Sequence, residues 1–474
     1  KVRLVGSSEY IIRDATVLTM NDGRDCHESG YIWVRGEQIH RVGGVASLGD
    51  VPPGVEVRSA RGRLIMPGLV NAHGHLSNGI LRGIYDEMPL SVWFSKGMWP
   101  VLEAQDTQTG TAGAELALME QMTTGVTTTV SAEFGTPRRE LPDAVLAAVR
   151  KSRVRALVSR MTVDNPDESD RSQAVPAAHR EPVARAIAEV ERLQREYRSA
   201  RITVAPEALG VLRCTPEMVE GLHDLAVRSN SPFLMHIASS KDEHLSSHRV
   251  FGHGSVTELK RRGALSGRTL LAHAIWLDDA EIRAVADASS GISHNPVANA
   301  YYASGFARLS DLLAAGVRVG LGVDGASTNN SQNLWETMKM ALLVQKERVS
   351  DASFGSAELA LELATRGGAA ALHMEDRIGS LEPGKQADFI SIDATRVALA
   401  PRRTLISNLV YSNDPQAVRD VYIGGEPVVL DGVHQYLDRD AVVKAADEAM
   451  ERVLERSGLK AYLDTRSGWN WSRS

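Results

Sequence analysis

Cysteine is almost absent: the chain of 474 residues has two, Cys26 and Cys214, far apart. That excludes a disulfide framework and a thiolate-rich zinc site, and it points to a reducing cytoplasm as the compartment. Positive charge is not in excess. Lys+Arg number 53 against 59 Asp+Glu, a formal net charge of -6, so the charge balance advertises neither nucleic acid nor an anionic membrane as partner. Long apolar runs are missing too. The stretch 340–344 (MALLV) lies between polar residues and falls far short of the roughly 18 residues that span a bilayer. Residues 1–10 (KVRLVGSSEY) hold no apolar targeting segment.

The composition present, 43% apolar and 24% charged, is that of a folded globular protein, and the length suits a large catalytic barrel with an accessory domain. Residues 10–20 (YIIRDATVLTM) and 31–42 (YIWVRGEQIHRV) read as strands ending at turn formers, and the character returns at 387–393 and 418–429. Between these flanks lie eight short apolar runs: 64–70, 125–130, 154–161, 202–208, 232–237, 269–276, 291–294 and 317–323. Most are separated by segments with helical spacing. The pattern predicts an α/β fold, a (β/α)8 TIM barrel over 67–385, with an open doubly wound sheet as the alternative. Strand-rich pieces, in 8–66 and in 386–436, thus flank the middle section. Residues 437–474 are expected to form a charged helix and a tail, packed on the barrel or on a neighbouring subunit.

Asn71-Ala72-His73-Gly74-His75 follows the first run directly. Side chains at i and i+2 of a strand share a face, so both imidazoles are expected at the mouth of the barrel. His236 ends the fifth run, His273 lies in the sixth, and Asp324 closes the eighth. Each residue alone is weak evidence. Together, at strand ends of one barrel, they predict a site for a divalent metal. His294, in the seventh run, is a further candidate at the mouth.

PGLVNAHGH, LLAHA, GLGVDGASTNN and IGSLEPGKQADFISID resemble the amidohydrolase superfamily, in the branch of the cytosine, guanine and S-adenosylhomocysteine deaminases and the triazine hydrolases. The resemblance covers nearly the whole chain. It implies a metal-bearing barrel with a small β-sandwich built from both chain ends, 8–66 and 386–436. It also implies that His73, His75, His236 and Asp324 bind one divalent metal per chain, zinc first, with iron, cobalt or manganese compatible. Asp324 would double as the base for water, and His273 would polarise substrate or orient the attack. The fourth run, ITVAPEALG, has no lysine to bridge two metals, which favours one.

The chain departs from that branch at one position. Where His-x-x-Glu is expected it reads His236-Ile237-Ala238-Ser239. A hydroxyl cannot replace a carboxylic acid as proton donor near neutral pH. Attack on a heteroaromatic ring needs that proton, whereas attack on a polarised carbonyl needs it less. The first expectation is therefore a hydrolase of C–N or C–S bonds in a small urea, carbamate or thiocarbamate, similar to the phenylurea and molinate hydrolases. The alternative is a deaminase or dechlorinase of a purine, pterin or s-triazine, with Glu243 as a displaced acid. Substrate contacts are expected from Arg82, Trp93, Ser239, His294, Asn299, Tyr301 and Tyr302. Asn329 and Asn330 are expected to order a loop, Cys214 to be inert packing, Met338, Met340 and Leu343 to form a core stripe, and His244, His248 and His253 to be solvated loop residues. A small-molecule substrate and a homo-oligomer complete the expectations, with no nucleic acid or membrane partner.

Overall fold

The structure is a computed structural model, and it describes residues 9–88, 92–136, 141–167, 174–412 and 414–466. Eight strands pair in parallel and in chain order: Leu69–Asn71, Val126–Phe134, Arg155–Thr162, Ile202–Ala208, Phe233–Ile237, Thr269–His273, Gly291–His294 and Arg318–Leu321. The last meets the first. The Ala72 N–H donates to Leu321 O at 2.8 Å, and the Asp324 N–H donates to His73 O at 3.0 Å. A short parallel ladder then pairs Asp324 with Gly74 and Gly325 with His75. The alternation of apolar runs and helices has closed into the expected barrel.

Helices cover the outside, and their ends follow local chemistry. Thr107–Thr123 starts at a reciprocal cap: the Thr109 N–H donates to Asp106 Oδ1 and the Asp106 N–H to Thr109 Oγ1. Of the stripe Met338, Met340 and Leu343, only Met338 is buried, and Leu343 is exposed. Their helix, Leu334–Val349, thus turns its outer face to solvent at 343. Among the described residues no helix is long and apolar enough to cross a membrane.

The strand-rich flanks form one hydrogen-bonded sheet of nine strands. The two chain ends meet where Phe389–Asp393 runs antiparallel to Arg63–Pro67. Alternation along a strand divides its side chains between two cores. Ile65 packs with Ile12, Val17, Ile32, Val34, Phe389 and Tyr422. Its neighbours Leu64 and Met66 join the main core with Ile390 and Ile392.

One expected barrel strand is therefore divided. The run 64–70 supplies both the sheet strand Arg63–Pro67 and the barrel strand Leu69–Asn71. Between them Gly68 lies so close to Thr127 that an added Cβ would stand 2.1 Å from its side chain. No other residue fits where the chain passes from one sheet to the other.

The helix Arg439–Ser457 packs back on its own barrel. Ala446, Ala449, Val453 and Leu454 meet Ile80, Leu81, Tyr85, Val101 and Ala112. Arg456 pairs with Asp106 at 2.6 Å.

Candidate active site

The five residues expected at strand ends come together at one end of the barrel. His75 Nε2 lies 3.3 Å and His73 Nε2 3.5 Å from Asp324 Oδ1, and His273 Nε2 lies 3.8 Å from Asp324 Oδ2. His236 Nε2 stands 3.4 Å from His75 Nε2. The candidate ligand atoms of His73, His75 and Asp324, and those of His73, His236 and His273, fall within 4.8 Å of one another in each group.

The outer nitrogens set the tautomers. His75 Nδ1 is 2.6 Å from Ala132 O, His236 Nδ1 2.9 Å from Glu207 Oε1, and His273 Nδ1 3.0 Å from Asn299 Oδ1. A carbonyl and a carboxylate oxygen accept, so Nδ1 of His75 and of His236 carries a hydrogen and Nε2 is the nitrogen turned inward; His273 Nδ1 also meets Asn295 Nδ2, at 3.3 Å. Two lone pairs facing each other at 3.4 Å repel unless a cation or a proton lies between them. His73 Nε2 is buried with no hydrogen-bond partner. Three imidazoles and a carboxylate in this arrangement fit a divalent transition-metal ion. Electrostatics agrees: burial, aided by the neighbouring imidazoles, pushes His73 down to about 3 and His236 well below its ordinary value. His75 is the exception: burial opposes its protonation, but Asp324 outweighs it and holds His75 up to about 9, so a metal ion at its Nε2 would take the place of a proton. Burial works against the Asp324 carboxylate, yet the imidazoles around it keep it well below the usual range.

Backbone strain concentrates at these positions. His273 and Asp324 hold φ values of 73° and 64°, and Ala238 and Ala274 stand at 48° and 47°. Non-glycine residues avoid this region unless the surroundings over-determine it, and such residues cluster at functional sites. Asp324 is held by the Gly325 N–H, which donates to Oδ1 at 2.8 Å, and by its own N–H on His73 O.

His75, His236, His273 and Asp324 form the floor of a cavity of about 1220 Å³, including the part open to solvent, with His73 buried behind them. Leu81, Tyr85, Trp93, Phe94, Phe134 and Tyr302 supply an apolar and aromatic wall. Of the candidate substrate contacts, Trp93, Asn299, Tyr302 and Ser239 line it. Three other candidates lie outside the lining. Arg82 is turned to the surface in an ion pair with Glu120. Tyr301 bonds to Asp86 and packs edge-on against Tyr302. His294 is buried with both ring nitrogens unpartnered, and burial, with His273 nearby, pushes it down to about 4.

Ser239 and Glu243 face each other rather than the floor. Glu243 Oε1 accepts the Ala238 N–H at 2.7 Å, and Oε2 accepts the Ser239 N–H at 2.9 Å and the Ser239 hydroxyl at 2.7 Å. Glu243 is a clamp on the loop after the fifth strand, with its acceptor capacity turned to that loop. His244 and His248 lie in the helix Lys241–Phe251, not in a loop. The Cys214 thiol donates to Thr162 O, and burial pushes it up to about 12. Asn329 Nδ2 donates to Val323 O, and Asn330 bonds to Asp86 and to the Gly83 N–H.

Sequence reasoning passed over three residues. Glu207 orients His236 and is itself held by Ser159. Asn71 ties the first strand to its neighbours through Thr129 Oγ1 and the Val323 N–H. Glu133 lines the cavity, bonded to Ser77 and Ser131. The signal for Glu207 was in the chain, since a lone acid in a mainly apolar strand is costly unless it has a task, whereas Glu133 lies in a strand already rich in Thr and Ser.

A closed barrel with a strained His/Asp cluster at its strand ends defines a barrel enzyme able to hold a metal. The chain belongs to the amidohydrolase family, whose model matches residues 64–428. It is 34% identical over 447 residues to a 5-methylthioadenosine/S-adenosylhomocysteine deaminase of Bacillus cereus, covering 94% of this chain and 99% of that one. The enzyme of the same name from Bacillus cytotoxicus is 32% identical over 432 residues, covering 90% and 96%. Among solved structures, an adenosine deaminase from Xanthomonas campestris with bound zinc superposes with a TM-score of 0.86 at 27% identity, over 94% of this chain and 98% of that one. The zinc complex of an atrazine chlorohydrolase from Arthrobacter aurescens shares the fold, with a TM-score of 0.86 at 24% identity over 93% and 100% of the two chains.

Proposed function

We propose that this protein is a hydrolytic deaminase of an amino-substituted heteroaromatic ring of the adenine type. His73, His75, His236 and Asp324 would hold one divalent ion, zinc. The observation that carries this reading is the His/Asp cluster on the floor of an aromatic-walled cavity, in a chain that matches 5-methylthioadenosine/S-adenosylhomocysteine deaminases nearly end to end. The expectation placed first from the sequence, hydrolysis of a urea or thiocarbamate, has no counterpart among these relatives, and the ring-directed alternative fits them better.

A divalent ion at such a site acts as a Lewis acid and brings the pKa of water close to neutrality. The chain's own residues do the rest. Asp324 takes a proton from the attacking water and later delivers it to the departing amine. His273, 3.8 Å from Asp324 Oδ2 and steadied by Asn299, orients the attack. Trp93, Phe134 and Tyr302 give the ring a dry surface to lie against.

A substrate panel tests the reading: 5'-methylthioadenosine, S-adenosylhomocysteine, adenosine, an s-triazine, an aryl urea and a thiocarbamate, each with zinc-reconstituted protein. Ammonia release from an adenine-bearing substrate, abolished by chelation and restored by zinc, is expected. Turnover of the urea or thiocarbamate with no deamination overturns the proposal.

A further inference from the structure

Adding water to an aromatic ring carbon needs a proton on the adjacent ring nitrogen, and the fifth strand offers Ser239 in place of an acid. Four carboxylates among the described residues line the cavity: Glu133, Asp242, Glu243 and Asp324. Asp324 belongs to the His/Asp cluster. Asp242 is exposed at the rim, on the first turn of the helix Lys241–Phe251. Glu243 accepts two backbone N–H groups and a hydroxyl, and protonating it would turn an acceptor into a second donor facing them.

Glu133 is different. It is the last residue but one of the second barrel strand, Val126–Phe134, and is buried in the cavity wall. Ala132, the residue before it, takes the His75 Nδ1 hydrogen, so the carboxyl stands beside the cluster. Its Oε1 accepts the Ser77 N–H at 3.2 Å and the Ser131 hydroxyl at 2.5 Å. Ser131 in turn accepts the Leu76 N–H at 2.9 Å, which leaves its own hydrogen for Glu133. Oε2 faces only the Ser77 hydroxyl, at 2.5 Å. A hydroxyl can donate to a carboxylate or accept from a carboxylic acid, so Oε2 can carry a proton if the Ser77 hydroxyl, which also lines the cavity, turns its hydrogen away. Burial pushes the Glu133 carboxyl up from its ordinary value, although Ser131, Ser77 and His75 all favour the charged form.

We propose that Glu133 is the catalytic acid that exchanges a proton with the substrate ring, taking the part that Ser239 cannot play. This rests on the deaminase reading above. Glu133 Oε2–H protonates the ring nitrogen beside the amine-bearing carbon as the water oxygen bonds to that carbon. One water proton goes to Asp324 and from there to the amine. The remaining proton on the added oxygen returns to Glu133 as the C–N bond breaks and ammonia leaves. The product keeps the proton on its ring nitrogen, and both carboxyls end as they began.

The test compares two substrates on zinc-loaded protein: an aminopurine, whose ring must be protonated, and an activated aryl ester, whose leaving group needs no proton. Glu133→Gln should lower kcat on the aminopurine by about 10²–10⁴-fold, with KM, zinc content and ester hydrolysis changed by no more than a few-fold. Adding Ser239→Glu to Glu133→Gln should return at least a tenfold share of the lost aminopurine turnover. Aminopurine turnover by Glu133→Gln within tenfold of wild type overturns the proposal. Should that variant not fold, Glu133→Asp keeps an acid but draws it back by one methylene. It should then lower aminopurine turnover at least tenfold more than ester turnover, and equal losses on both overturn the proposal. A wild-type protein that deaminates no substrate in the panel removes the reading itself, a result separate from any behaviour of the variants.

Discussion

Asp324 has several neighbours to satisfy at once. It faces three imidazoles, holds a left-handed backbone, and accepts the Gly325 N–H. Replacing it with Asn keeps the shape and one oxygen but removes the negative charge and the base. Asp324→Asn should therefore retain most of its zinc while kcat falls by about 10²–10⁴-fold, the usual worth of general-base help. Paired kcat and metal analysis of the purified variant checks this, and near-normal turnover would take Asp324 out of the mechanism. The outer partners of the imidazoles matter for the same reason: Ala132 O, Glu207 and Asn299 set which nitrogen faces inward.

At the scale of elements, the segment Leu76–Leu81 carries Ser77 into the cavity wall, and its position is set by a bare backbone contact. A Cβ on Gly113, in the helix Thr107–Thr123, would stand 2.1 Å from Ser77 O. Gly113→Ala must force helix and segment apart. The expected loss is about 1–3 kcal/mol, typical of overpacking, together with lower turnover because Ser77 and Glu133 shift. Urea denaturation and kcat measured on the same preparation check it, and unchanged values of both would refute the contact. The last strand of the sheet, Val433–His434, depends on a neutral imidazole. His434 Nδ1 accepts the Tyr436 and Leu437 N–H groups at 3.1 Å each, and Nε2 lies 3.3 Å from Met122 Sδ. Burial pushes His434 down to about 4. The unfolded chain, titrating near 6.5, takes up this proton first. The contribution is thus fully present above about pH 6.5 and drains away as pH falls towards 4, by up to about 3 kcal/mol. His434→Asn, whose amide oxygen can accept the same N–H groups, should flatten stability against pH in that window. A slope equal to that of wild type would count against His434.

At the scale of the whole molecule, the barrel and the nine-stranded sheet are joined by a buried ion pair. Arg155 Nε donates to Asp388 Oδ2 at 2.7 Å and Nη2 donates to Oδ1 at 3.1 Å, with both side chains 3% exposed. The Gly424 N–H also donates to Oδ1, at 2.7 Å. Removing one charge leaves the other buried and unpaired. Asp388→Asn should cost about 3–5 kcal/mol, read as a lower thermal midpoint. A midpoint within a degree of wild type would show that the pair does not hold the two units together. Arg155 opens the third barrel strand and Asp388 precedes the strand Phe389–Asp393, so the bridge spans 233 positions of sequence.

What the sequence determined by itself was local and periodic. Eight apolar runs at helical separation imply eight parallel strands, because only a crossover helix returns the chain to the same end. Imidazoles and an aspartate at the ends of those runs then had to meet at one mouth, which is why His73, His75, His236, His273 and Asp324 were legible. Contacts between distant segments were decided only by the tertiary structure. Nothing in PGLV marks Gly68 as the crossing between two sheets; Thr127, pressed against it, does. Arg82 and Trp93 follow the same strand, yet Glu120 draws one to the surface while the cavity takes the other. Glu243 looked like a displaced acid until the fold placed it on the N–H groups of Ala238 and Ser239. Glu133 looked like one more strand residue until the fold gave it two hydroxyls, one of them on Oε2. The identity of a carboxylate is written in the chain, but whether it clamps, supports or donates depends on which donors surround it, and those come from elsewhere in the sequence.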